Sequence, residues 1–183
     1  MNATLTRHTA TAMVLLATVA LLPAAGSAQY RLPSIVSANK ADSLHDSAVQ
    51  FVQTGRWQEA ARLYRRSAEF RAVEDPIGLQ CLTDAAAVAY AAGDRSAARS
   101  DLAHAAERAL AQGDIKSAAM AYLDAAWIAQ EQKKQDQVWN LGHRAEILAA
   151  SPLLSETDRS AIQRRIERVP GGTRLVIGKR VNG

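Results

Sequence analysis

The chain has 183 residues (19.7 kDa), of which 48% are hydrophobic, 22% charged and 5% aromatic, with a net charge of +4 and 38 alanines. That apolar content excludes a wholly disordered chain, and the alanine excess argues against an all-β sandwich, which needs β-branched and aromatic residues. A single cysteine, Cys81, excludes an internal disulfide framework and a zinc ribbon.

The first element has the order of an export signal. Arg7 and His8 give a weakly basic start, residues 12–22 are uncharged and apolar, Pro23 interrupts them, and small residues follow to Ala28. Eleven helical residues span roughly 17 Å, short of the ~30 Å hydrocarbon core, so no stable membrane anchor is expected. No cysteine stands near the cleavage point to carry a lipid. Residues 1–28 are therefore expected to be a signal peptide cleaved after Ala28, and residues 29–40 a flexible lead-in. The mature chain is expected to be exported, to a periplasmic or extracellular location.

The remaining chain carries 21 bases and 18 acids. Six of those bases (Arg164, Arg165, Arg168, Arg174, Lys179, Arg180) lie from residue 164 onward, beside one acid, Glu167. Basicity thus belongs to the C-terminus and not to a folded face, which argues against a nucleic-acid partner.

The body repeats one pattern three times. Leu44, Ser47, Ala48 and Phe51 precede Gly55, then Ala60, Tyr64 and Ser67; Leu82, Ala85, Ala86 and Ala89 precede Gly93, then Ala98, Leu102 and Ala105; Tyr122, Ala125, Ala126 and Ala129 precede Lys133, then Val138, Gly142 and Ala145. The leading residues Leu44, Leu82 and Tyr122 stand 38 and 40 positions apart. Offsets of three, four and seven place each set on one stripe of a helix, and small residues in mid-stripe let two helices approach closely. Gly55 and Gly93 read as left-handed residues just past a helix end. Asp75 before Pro76, Asp94 and Asp114 read as N-caps, and Ser155 with Asp158 as a capping box for a last helix through about Arg168. Cys81, among Leu79, Leu82 and Ala85, reads as a small buried helix residue.

This unit resembles the tetratricopeptide repeat, a helix-turn-helix module. The first unit matches best, through Leu44, Ala48, Phe51, Gly55, Ala60 and Tyr64, and Gly55-Arg56-Trp57-Gln58-Glu59-Ala60 is similar to the family's turn. The second unit has Ala89 for the aromatic, the third has Lys133 for glycine and Val138 for alanine, and the spacing exceeds the family's 34 residues. The resemblance implies an all-α, TPR-like α-solenoid of about three helical hairpins plus a C-terminal capping helix, over residues 41–168. Residues 169–183 then form a basic flexible tail, in which residues 173–181 would become a strand only against an edge supplied by a partner.

Chemistry-bearing patterns are sparse. His45 with Asp42, His104 with Asp101 and Glu107, and His143 with Glu146 share helix faces, as ordinary surface pairs do. No HExxH, GxSxG, GxGxxG or Walker loop occurs, and Ser37-x-x-Lys40 lacks its companion motifs. No enzyme activity, cofactor or metal is expected. Among the tryptophans, Trp57 is expected to staple the adjoining hairpin, and Trp139 reads as either core or rim.

By register, the resemblance implies a concave groove lined by Asp42, His45, Val49 and Val52 from the first unit. Gln80, Thr83, Ala87 and Tyr90 come from the second, and Met120, Leu123, Trp127 and Gln130 from the third. The competing reading for Tyr90, Met120 and Trp127 is burial against the next helix. These positions hold no lysine or arginine, so a clamp for a peptide's terminal carboxylate is not expected. The implied function is that of an exported, non-catalytic adaptor that binds a protein or peptide along the groove. The alternatives are self-assembly of repeats, or attachment of the basic tail to an anionic envelope surface.

Overall fold

The computed structural model describes residues 35–169, which form seven α-helices and no strand. In chain order these are α1 (Ile35–Gln53), α2 (Trp57–Glu69), α3 (Pro76–Ala91), α4 (Arg95–Ala111), α5 (Ile115–Glu131), α6 (Gln135–Ala149) and α7 (Glu156–Ile166). The expected signal peptide (1–28), residues 29–34 of the lead-in and residues 170–183 of the tail lie outside the described residues. The lead-in boundary is corrected at one end: α1 already runs through residues 35–40, a stretch with neither proline nor glycine to stop it. Val169, placed at the start of the tail, is instead buried against the core. Among the described residues no helix is long and apolar enough to cross a membrane.

Each helix from α1 to α6 packs on its chain neighbours, and α7 closes against both α5 and α6, an arrangement consistent with a helical repeat. The small residues of the three units explain how. Ala48, Ala60, Ala85, Ala98, Ala105, Ala125, Ala129 and Ala145 are all fully buried, so helix backbones meet with little side chain between them. Larger groups fill the remaining space: Tyr64, Leu102, Tyr122, Leu123, Ile162 and Ile166 are buried, as is Cys81, whose thiol lies 3.5 Å from the Ser67 hydroxyl.

Four of the six turns share one geometry. Gly55, Gly93, Gly113 and Lys133 have φ of 72°, 81°, 78° and 60°. The N–H of the residue after each returns to a carbonyl five positions back, for example Asp94 to Ala89 and Lys134 to Ala129, both at 2.9 Å. This is the Schellman closure of a helix end, and it requires the left-handed conformation that only glycine adopts without cost. Lys133 is therefore held where a Cβ is disfavoured by about 1–2 kcal/mol. Replacing Lys133 with glycine should stabilise the protein by about 1 kcal/mol and raise Tm by roughly 2–4 °C, measured by thermal denaturation.

Asp94, Asp114 and Asp75 cap α4, α5 and α3 by accepting from the backbone N–H groups of Ala97, Ser117 and Ile77, each at 2.9 Å. Contacts also skip one helix. Arg65 of α2 donates to Asp101 of α4 at 2.7–3.0 Å, and Arg144 of α6 lies 3.9 Å from Glu107 of α4. Arg108 of α4 donates to the carbonyls of Ala68, Arg71 and Ala72 at the end of α2, where a Cβ on Gly78 would collide with its guanidinium.

Lys116 of α5 holds Asp158 of α7 at 2.6 Å, and the Ser155 hydroxyl donates to the same carboxylate at 2.7 Å. These two bonds, the lysine's first, hold the Asp158 carboxyl below its ordinary value of 3.8. Because the folded-state value is lowered, the contact stabilises the fold above pH 3.8 and is lost as pH falls through the lower, folded value. Thermal melts should accordingly show Asp158→Asn less stable than the parent at neutral pH, with the gap closing below pH 3.8.

Candidate functional site

A cleft of about 620 Å³ opens between α3, α5 and α7. Its floor and walls come mainly from α5, where Leu123 and Trp127 lie one turn apart on the same face and Ile128 follows. Leu123 is fully buried, whereas the Trp127 indole is 45% exposed. Tyr90, at the end of α3, forms the opposite wall.

Tyr90 is held by its neighbours. Its hydroxyl donates to Glu131 Oε1 at 2.9 Å, Arg95 Nε donates to Oε2 of the same carboxylate at 3.1 Å, and the Arg95 guanidinium lies 5.0 Å above the tyrosine ring. The bond from Tyr90, and next that from Arg95, hold the Glu131 carboxyl below its usual range, while the same bond pushes the phenol up. The ring is thus fixed in orientation before anything binds against it.

The mouth of the cleft is cationic. Ile162 and Ile166 turn one face of α7 into the core, and this leaves Arg165, Arg168 and the buried Val169 along the cleft. Arg165 pairs with Asp124 of α5, whereas Arg168 makes no ion pair among the described residues.

Of the twelve groove positions expected from the repeat register, the cleft gathers Tyr90, Leu123 and Trp127. The other nine lie elsewhere. Asp42 is tied to Arg71 at 2.6 Å. His45 meets the Tyr64 ring edge-on at 5.5 Å. Val49, Val52 and Met120 pack against the core, half-buried. Gln80 donates to Asp84 and Thr83 to the Gln80 carbonyl, both at 2.8 Å, and Ala87 is exposed. Gln130 accepts from Gln135 at 3.3 Å. The reading of Tyr90 and Trp127 as buried gives way to exposure, while Met120 does pack inward.

The register missed Asp124, Ile128, Arg165, Arg168 and Val169. Asp124 and Ile128 flank Leu123 and Trp127 in the sequence, which is a signal that was there to use. Arg165 belongs to the last helix and Arg168 to the turn just past its end, both outside the repeat pattern.

Elsewhere the polar pairs are structural. Asp101, a neighbour of His104 in sequence, gives both carboxylate oxygens to Arg65. His143 lies 3.5 Å from Glu146. Trp57 opens α2 and is 38% exposed. Among the described residues no three metal-donor side chains converge. What the cleft offers is apolar and aromatic surface under a cationic rim, suited to holding a side chain.

No protein-family model, curated protein or solved structure matches this chain.

Proposed function

We propose that this protein is an exported, non-catalytic adaptor of TPR-like helical hairpins whose cleft binds an extended or helical segment of a partner protein. The observation that carries the reading is the convergence of Tyr90, Leu123 and Trp127, from two helices one repeat apart, in a single cleft of about 620 Å³. Such a volume suits one or two bulky side chains, and the fixed tyrosine and tryptophan provide apolar contact with little ordering cost. The three-unit register and the four matching turns support the solenoid description. The order of a basic start, an apolar run and small residues in 1–28 supports export. Affinity in the micromolar range suits a cleft with few anchors.

Selection of a random-peptide display library on the protein tests this reading. Enriched peptides should bind with micromolar affinity, and Trp127→Ala should weaken them about tenfold or more by calorimetry. Failure to enrich peptides beyond an unrelated helical protein, or equal binding to Trp127→Ala, would overturn it.

A further inference from the structure

Three arginines stand at or beside the cleft between α3, α5 and α7, and two of them are already answered by carboxylates. Arg165 pairs with Asp124, and Arg95, over the Tyr90 ring, pairs with Glu131 at 3.1 Å. Arg168 lines the same cleft, and its guanidinium makes no ion pair among the described residues.

Arg168 is not a frayed end. It lies two residues past α7, between Ile166 and Val169, which are 1% and 4% exposed. Its backbone N–H returns to the Arg165 carbonyl, and that of Val169 to the Ile166 carbonyl, both at 3.1 Å. The backbone is thus anchored at the mouth of the cleft while the side chain stays exposed. Beside it lie the apolar walls made by Leu123 and Trp127. A charge against such a wall is screened less than one on open surface, so a carboxylate brought there meets a stronger attraction. The chain adds to the same field: it continues from Val169 with Arg174, Lys179 and Arg180, and Glu167 is the one acid from Arg164 onward.

We infer that the cleft selects an acidic segment of the partner protein, one in which a bulky apolar residue is accompanied within a few positions by an aspartate or glutamate that Arg168 binds. The inference rests on the peptide reading above and supplies the partner's chemistry. The apolar residue packs between Tyr90 and Trp127. The carboxylate accepts from the Arg168 guanidinium, whose planar fork of N–H groups gives two parallel bonds to a carboxylate. A lysine or arginine in the acid's place meets Arg168 and Arg165 with Asp124 already engaged, so the same charges turn basic segments away. The repeat register placed no base in the groove; this one comes from the turn that follows the closing helix.

The display selection on the full chain tests this. Enriched peptides should carry an aspartate or glutamate within about four residues of a large apolar residue, roughly one helical turn. One such peptide is then made with its C-terminus amidated, so that only a side chain supplies the carboxylate, alongside the isostere with glutamine or asparagine for the acid. By calorimetry at low salt the parent should bind the acidic peptide about fivefold more tightly than the isostere, and added salt should shrink the difference. Arg168→Gln should bring the ratio close to one, whereas Arg164→Gln, exposed on α7 and outside the cleft, should keep it. Enriched peptides without an acid overturn the inference, as does a ratio near one on the parent, a ratio that survives Arg168→Gln, or one that falls equally with Arg164→Gln. Peptides that bind through Trp127 without regard to their acid overturn this inference alone and leave the adaptor reading standing. Failure to enrich any peptide overturns both.

Discussion

Leu123→Ala should lower the unfolding free energy by about 3 kcal/mol, within the usual 2–5 kcal/mol range for truncating a buried leucine. Leu123 is 1% exposed and sits on α5, which packs on α4, α6 and α7, so few neighbours are free to collapse into the space it leaves. The loss combines the transfer of its methyl groups with the cavity left between close-packed backbones. Urea unfolding measures it, with the denaturant slope unchanged if the native fold persists. Leu153→Ala is the matched control: the same chemistry at 82% exposure should shift stability by less than about 0.5 kcal/mol. Because Leu123 also floors the cleft, the variant should bind selected peptides more weakly even where it remains folded.

The second large effect is expected at Arg65. Its guanidinium supplies three hydrogen bonds to Asp101, whose side chain is 5% exposed, and among the described residues no other partner reaches that carboxylate. Arg65→Met would leave a buried carboxylate unpaired, a change that commonly costs 3–5 kcal/mol. Arg65 is itself 35% exposed, so water can enter behind it, and a loss of about 2–3 kcal/mol is expected. Adding Asp101→Leu should recover most of this, because replacing both partners of an ion pair with apolar groups is often neutral or stabilising. A double-mutant cycle by chemical denaturation reads the coupling directly. If the double variant were no more stable than Arg65→Met, the pair would matter through packing instead of charge.

The same two residues show where sequence reading succeeds and where it stops. Local patterns located the helices well, because the Ala-rich stripes and the Gly55, Gly93, Asp75, Asp94, Asp114 and Ser155 signals each act within a turn or two of the chain. Gly113 closes α4 in the same way as Gly55 and Gly93, but it falls between two units of the repeat pattern instead of inside one. The helical domain is expected from residue 41, whereas α1 begins at Ile35, since nothing between residues 35 and 40 interrupts a helix. Pairings across 36 or 41 residues, such as Arg65 with Asp101, Tyr90 with Glu131 and Arg165 with Asp124, have no local signature. Hence the register supplied Tyr90, Leu123 and Trp127 but spread its other nine positions along helix faces that the tertiary packing does not bring to the cleft. The cationic rim came from the last helix and the turn past its end, outside the repeat, where periodicity has nothing to say.

The three tryptophans allow a direct test of the cleft. Trp57, Trp127 and Trp139 lie on α2, α5 and α6, and each indole N–H gives its own resonance in a ¹H–¹⁵N correlation spectrum. Titrating the labelled protein with a selected peptide should shift the Trp127 indole signal and the backbone signals of Tyr90 and Arg168, while the Trp57 and Trp139 indoles stay in place. Movement of Trp57 or Trp139 with Trp127 unchanged would contradict a binding site between α3, α5 and α7.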